Sequence, residues 1–373
     1  MNRLALLALS TALCAAPLAL AAAPAKAPAK TAQAYRAPRN SFGQPDISGN
    51  WSNATLTPMI RNPKFGDQLI MPEAAVKADE AEMAREFAEG DKPTDPNAPV
   101  NAGQDQKVRA DFAAAGGAVG GYNIGWLDPG RSVMRVNGQP RTSLITTIDG
   151  RPPKPINAAA MARPYRGGLG SFDSYATRSL GERCIISFGR NAGPPMFPNG
   201  FYNNDYQIIQ TPEYVAIDVE MVHDMRIIRL NAKHRADDVR PWFGDSIGWW
   251  DGDTLVVETT NIPKAEAFFG SWKHLKVTER FRRVGPDRLY YSFTVEDPTM
   301  WAKPWGGEYE FHPLKGQLYE YACHEGNYAL PDMLAGARAK DKQAAEARAK
   351  GQVTPAAAPA KPGAQGGGEG QSE

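Results

Sequence analysis

The sequence predicts a mainly β protein, an antiparallel meander that closes as a barrel, with a two-sheet sandwich as the alternative closure. A peripheral N-terminal helix and a C-terminal helix flank it. Three observations carry this reading. Thirty-six glycines, 31 prolines and 9 % aromatic residues favour short strands and turns over a helical bundle. Strand-forming runs recur at close intervals, separated by turns of two to five residues. So many antiparallel strands limit exposed edges most economically by closing on themselves.

The elements follow in order. Residues 1–21 have the pattern of a signal peptide: Arg3, an apolar run over 4–20, and Ala19-Leu20-Ala21 as a small-x-small cleavage site. The run is too short for a comfortable membrane span, so the chain is expected to be periplasmic or secreted, with no membrane span. Residues 22–44 read as a disordered leader, 45–350 as a single β-rich domain and 351–373 as a disordered tail rich in Ala, Pro and Gly. Gly49-Asn50-Trp51 opens the first strand. Residues 72–90 spell a helix: Pro72 suits its first turn, Val76, Met83 and Phe87 share one face, and Gly90 stops it. Asn137-Gly138 between apolar runs marks a hairpin. Strands are then expected at 206–210, 214–219, 227–230, 247–250, 254–260, 277–284, 289–295, 309–312 and 317–323, before a helix over 332–350.

Composition narrows the partners. A formal charge of +1 gives no broad electrostatic reason to bind nucleic acid or anionic lipid. No P-loop and no His-x-x-x-His or Cys-x-x-Cys spacing occurs, so neither a cofactor nor a metal is expected. Beyond the leader two cysteines remain, Cys184 and Cys323. In an oxidising compartment they can pair as a disulfide or stand as separate buried thiols.

The candidate site residues lie on turns and strand ends. His223 sits between apolar runs, beside Asp224 and near Glu220 and Arg226. A carboxylate beside an imidazole can fix its tautomer and raise its basicity, as a general base requires. Against this stands a plain structural use: a Glu220–Arg226 cross-strand ion pair, with His223-Asp224 making the turn. His324 and Glu325 follow Cys323, with Asn327 and Tyr328 next. Tyr202, Asn203 and Asn204 precede a strand, and Trp126, Trp242, Trp249, Trp250, Trp301 and Trp305 supply much indole.

Glu182-Arg183-Cys184, Tyr202-Asn203-Asn204, Gln210-Thr211-Pro212, His223-Asp224 with Arg226, Gly244-Asp245-Ser246, the run Trp250 to Val257, Thr278-Glu279-Arg280-Phe281 and Cys323-His324-Glu325-Gly326-Asn327 together resemble a family of secreted bacterial proteins of unassigned function, over roughly residues 121–338. That resemblance implies no particular chemistry. A looser likeness, resting on Gly49-Asn50-Trp51 and the meander, is to the lipocalin-type or calycin-like barrel, and implies a cavity.

The expected function is accordingly an exported protein that binds a small apolar or aromatic compound in a barrel cavity. Asn203, Asn204, Tyr202, Asp224, Arg226, Trp250 and Asn327 would make the contacts. The alternatives are a cofactor-free acid/base enzyme (isomerase, hydratase or lyase) using His223, Glu220, His324 and Glu325, and a cell-envelope scaffold.

Overall fold

The structure, a computed structural model, describes residues 35–91, 127–158, 172–187, 189–200 and 202–351. The expected signal peptide, the first part of the leader, the tail beyond 351 and Trp126 lie outside the described residues.

Eleven strands are present: β1 (Gly49–Ser52), β2 (Arg135–Val136), β3 (Gln139–Pro140), β4 (Asp205–Gln210), β5 (Tyr214–Val219), β6 (Asp224–Leu230), β7 (Asp245–Asp251), β8 (Thr254–Thr260), β9 (Lys276–Gly285), β10 (Arg288–Glu296) and β11 (Trp305–Pro313). Nine of them close into a barrel in the order β1-β11-β10-β9-β8-β7-β6-β5-β4, and β1 seals it by pairing with both β11 and β4. The expected barrel is therefore the fold. One seam departs from a pure meander. β6 and β7 run parallel, with Arg229 opposite Ile247. Parallel neighbours need a crossover rather than a tight turn, and residues 231–244 are long enough to carry the chain back along β6.

Strict alternation builds the interior. Val215, Ile217 and Val219 of β5, Ile228 and Leu230 of β6, Leu255 and Val257 of β8 and Phe281 of β9 are buried in one core. Trp51 is also buried there, its indole Nε1 donating to the Ile47 carbonyl at 3.1 Å, with the Arg283 guanidinium 5.6 Å above the ring. The first-strand tryptophan thus acts as a plug.

α1 (Glu73–Gly90) follows the expected helix, with Val76, Met83 and Phe87 all buried. They pack against Met71, Val133 and Leu127 rather than against the barrel core itself. The Asn137-Gly138 hairpin forms between β2 and β3, both turn residues taking positive φ. Residues 35–44, expected within the leader, make defined contacts: Arg39 bridges to Pro45, and Asn40 Oδ1 accepts the Gln44 N–H at 3.0 Å.

Beyond β11 the expectation changes. Residues 317–323 form no strand, because β11 is already paired with β10 and closed by β1. The segment runs as loop and turns to α2 (Ala329–Ala349). Cys184 and Cys323 are joined, with their sulfurs 2.08 Å apart. Of the two uses open to these cysteines, the disulfide is the one found.

Candidate functional site

Most of the nominated residues lie at one end of the barrel, around the turn between β5 and β6; Trp250 and Arg226 do not. That turn, Met221–His223, places Val222 and His223 at φ 61° and 46°. A β-branched residue rarely adopts a positive φ; burial of Met221 and the Val222 side chain in the core holds it there. His223 itself points outward and is exposed.

Glu220 is buried at the base of the turn. Its carboxylate accepts from Asn203 Nδ2 and from the Tyr319 N–H at 3.2 Å. Beside it the rings of Tyr202 and Tyr321 stack at 6.2 Å. Asn327 Nδ2 donates to the Glu182 carbonyl at 2.8 Å, next to the disulfide. Glu220, Asn203, Tyr202 and Asn327 therefore dock the segment after β11 onto the barrel end. Asn204 is fully buried and ties three loops together. Its Oδ1 accepts from Asn191 Nδ2 and the Asn199 N–H, and its Nδ2 donates to the Asp128 carbonyl.

His324 and Glu325 are exposed in the turn after Cys323. Among the described residues, no hydrogen bond or ion pair joins either His223 or His324 to a carboxylate. The acid/base pairs suggested by adjacency in sequence are not assembled by contact. Trp250 is half-buried against the core at the opposite, Trp51-plugged end of the barrel, its side chain facing inward opposite Leu255.

Arg226 provides the correction of largest consequence. The sequence offers Arg226 as a ligand contact or as a cross-strand partner of Glu220; its actual partner is Glu279 of β9. Arg226 Nη1 donates to Glu279 Oε1 at 3.0 Å and Nη2 closes the second bond of a bidentate pair, with both residues buried. Nη2 also reaches Thr259 Oγ1 at 2.9 Å and Nε the Ser246 hydroxyl at 3.3 Å. The Tyr291 hydroxyl donates to Glu279 Oε1 at 2.8 Å. Burial works against the Arg226 charge, but Glu279 more than offsets it and holds the guanidinium above its ordinary pKa. The same burial drives the Tyr291 and Tyr309 phenols well above theirs.

The residues from 189 to 197 enter this interior as a plug. The Ala192 carbonyl accepts from Arg226 Nη1 at 3.4 Å, the Met196 N–H donates to the Tyr291 hydroxyl at 2.9 Å, and the Tyr309 hydroxyl donates to the Met196 carbonyl at 3.0 Å. Backbone groups of the chain itself thus bond to Arg226, Tyr291 and Tyr309. The two concave places that stand out, of about 490 and 370 Å³, are open depressions on the outer surface.

Sequence reading missed three polar residues of weight. Glu279 was not singled out, although alternation sets it between Val277 and Phe281 on the buried face of β9. His234 lies on the outer wall with Nδ1 2.9 Å from Asp245 and Nε2 3.2 Å from Glu258, so both ring nitrogens are occupied by carboxylates. Glu266 lies where it interacts electrostatically with both Arg190 and Asp224. Comparison with family models, with curated proteins and with solved structures finds no match to this chain.

Asp224 and Glu266 carry a pH consequence. Burial pushes Asp224 up to about 6, against the pull of the Ser187 N–H that its Oδ2 accepts at 2.7 Å. Burial likewise raises Glu266 to about 7, against the Arg190 charge. The folded state therefore keeps protons that the unfolded chain releases near pH 4. This stabilisation is complete below about pH 4 and is lost as pH rises through 6 to 7. For Asp224, at about 1.4 kcal/mol per pKa unit, the loss is on the order of 3 kcal/mol. Denaturant unfolding at a series of pH values is expected to show Asp224→Asn and Glu266→Gln gaining on the parent protein between pH 5 and 8. An unchanged difference across that range would contradict this assignment.

Proposed function

We propose that this protein is an exported cell-envelope scaffold whose barrel is a solid support and whose recognition surface is the outside of its wall. The observation that carries this reading is the filled lumen. Arg226, Glu279, Tyr291 and Tyr309 are bonded to one another and to the backbone of the plug. A small apolar ligand in that space would have to strip buried polar groups of their partners, at about 1–3 kcal/mol for each one left unmade. The Cys184–Cys323 disulfide fits an oxidising compartment and supports export.

Mass spectrometry of protein extracted from the envelope under denaturing conditions tests the reading. No small compound is expected at stoichiometric amount. Hydrogen exchange should show the amides of β6 and β9 among the slowest in the chain. A stoichiometric apolar compound whose removal speeds exchange at Arg226 and Glu279 would restore a lumenal carrier and overturn the scaffold.

A further inference from the structure

The outer face of β9 carries charge that the core does not use. Val277, Glu279 and Phe281 face inward, which leaves Lys276, Thr278, Arg280 and Arg282 on the outside. Lys276 is paired with Glu296 at 3.0 Å. Arg280 and Arg282 are exposed, and no carboxylate pairs with either among the described residues.

Both open depressions lie on this strand. The first, about 490 Å³, is lined by Arg36, Arg39, Asp253, Thr254 and Arg282. The second, about 370 Å³, includes Arg280, Thr278, Ser292, Thr294, Tyr290 and Glu308. Alternate residues of a strand stand about 7 Å apart on one face, so Arg280 and Arg282 join the two into one groove. The cross-strand register extends it sideways: Arg282 faces Tyr290 and Arg280 faces Ser292. Of the four guanidinium groups only Arg39 has an ion-pair partner among the described residues, Asp253 at 2.7 Å.

We infer that this groove binds a linear acidic polysaccharide, its carboxylates taken by Arg36, Arg280 and Arg282 and its hydroxyls by the Ser, Thr and Tyr side chains between them. The inference rests on the outer wall being the recognition surface. Guanidinium groups favour carboxylates through paired N–H donors. The hydroxyl-bearing positions match a ligand that carries hydroxyls of its own. Asp253 and Glu308 are paired with Arg39 and Arg141 at 2.7 and 2.8 Å, so the groove's positive charge rests on Arg36, Arg280 and Arg282, spaced cations that suit charges spaced along a sugar chain. An anionic bilayer fits less well. The large apolar side chains exposed on strands, Ile209, Tyr214, Met225, Ile227 and Trp249, belong to β4–β7 and none to β8–β11.

The test uses the full chain with three probes: polygalacturonate, neutral dextran, and phosphatidylglycerol vesicles. Polygalacturonate is expected to bind, and dextran and vesicles are not. Binding should weaken about tenfold as salt rises from about 50 to 300 mM, because exposed charges are screened over that range. Arg280→Gln/Arg282→Gln should weaken it by a similar factor with an unchanged melting temperature. Arg338→Gln on α2 should bind as the parent does. Equal binding of dextran, binding to vesicles alone, or a double variant that binds like the parent would overturn the inference. A lumen free of small compounds together with no polymer binding would sink the groove alone. A stoichiometric lumenal compound would instead sink the scaffold reading beneath it.

Discussion

Arg226→Ala is expected to destabilise the protein by about 3–5 kcal/mol, read as a lowered midpoint in urea unfolding, because it strands a charge inside the barrel. Glu279 is completely buried and its carboxylate would keep only the Tyr291 hydroxyl. Ser246 and Thr259 would retain each other at 2.8 Å, so their loss is smaller. The Ala192 carbonyl also loses a donor, which should make residues 189–197 easier to cleave by protease. Arg226→Lys keeps the charge but not the bidentate fork, and should fall between the alanine variant and the parent. The decisive comparison is the cycle with Glu279. Arg226→Met/Glu279→Met removes both charges together, and is expected to cost less than the two single changes added, by about 1–3 kcal/mol. Additive losses would mean that the two side chains do not act as a pair.

The difficulty of seeing that pair beforehand has a physical cause. Alternation within β6 puts Arg226 on the same face as Ile228 and Leu230, and sequence alone reports that the face is buried. It does not report which strand lies across the lumen. Glu279 comes 53 positions later, so the pairing depends on barrel closure, a property of the whole chain. Local features read well for the opposite reason. The 254–260 and 214–219 strands, the Val76–Met83–Phe87 face and the Asn137-Gly138 turn depend on neighbours within a few residues, and each is found where its pattern places it. The parallel β6–β7 seam was hidden because hydrophobic alternation is the same in both strand directions. The 317–323 run misled through composition: Tyr319, Tyr321 and Cys323 alternate like a strand, yet the barrel is complete at β11. At the candidate site, proximity in sequence overstated chemistry. His223 and Asp224 are neighbours in the chain, but the turn sends the imidazole to solvent and the carboxylate to the Ser187 N–H.

Reduction of the Cys184–Cys323 disulfide, or Cys184→Ser/Cys323→Ser, is expected to release the chain after β11 before it unfolds the barrel. The bridge spans 139 positions, and on the chain-entropy model a loop of that length contributes up to about 5 kcal/mol. What remains to hold the released segment is modest. It includes the Tyr319 N–H on Glu220, the stacked Tyr202 and Tyr321 rings, and Asn327 on the Glu182 carbonyl. Contacts of this kind contribute about 1 kcal/mol each. The helix that follows is weakly anchored: Ala337 is its one buried residue, Arg338 reaches the Asp173 carbonyl at 2.9 Å only at the surface, and an isolated helix of its length is marginal in water. Among the described residues no barrel strand lies beyond Pro313, so detachment leaves the β1–β11 closure intact. Hydrogen exchange on the reduced protein should therefore speed up over residues 317–349 while β5 to β10 stay protected. Glu220, losing the Tyr319 donor, should become accessible in the same step. Urea unfolding of the serine double variant should in addition show a lower midpoint for the barrel itself, because residue 184 lies within the plug-bearing loop and its unfolded chain is no longer constrained. Loss of protection across β5 to β10 at the same rate as residues 317–349 would show instead that the bridge holds the barrel together, and that the segment after β11 is part of one cooperative unit with it.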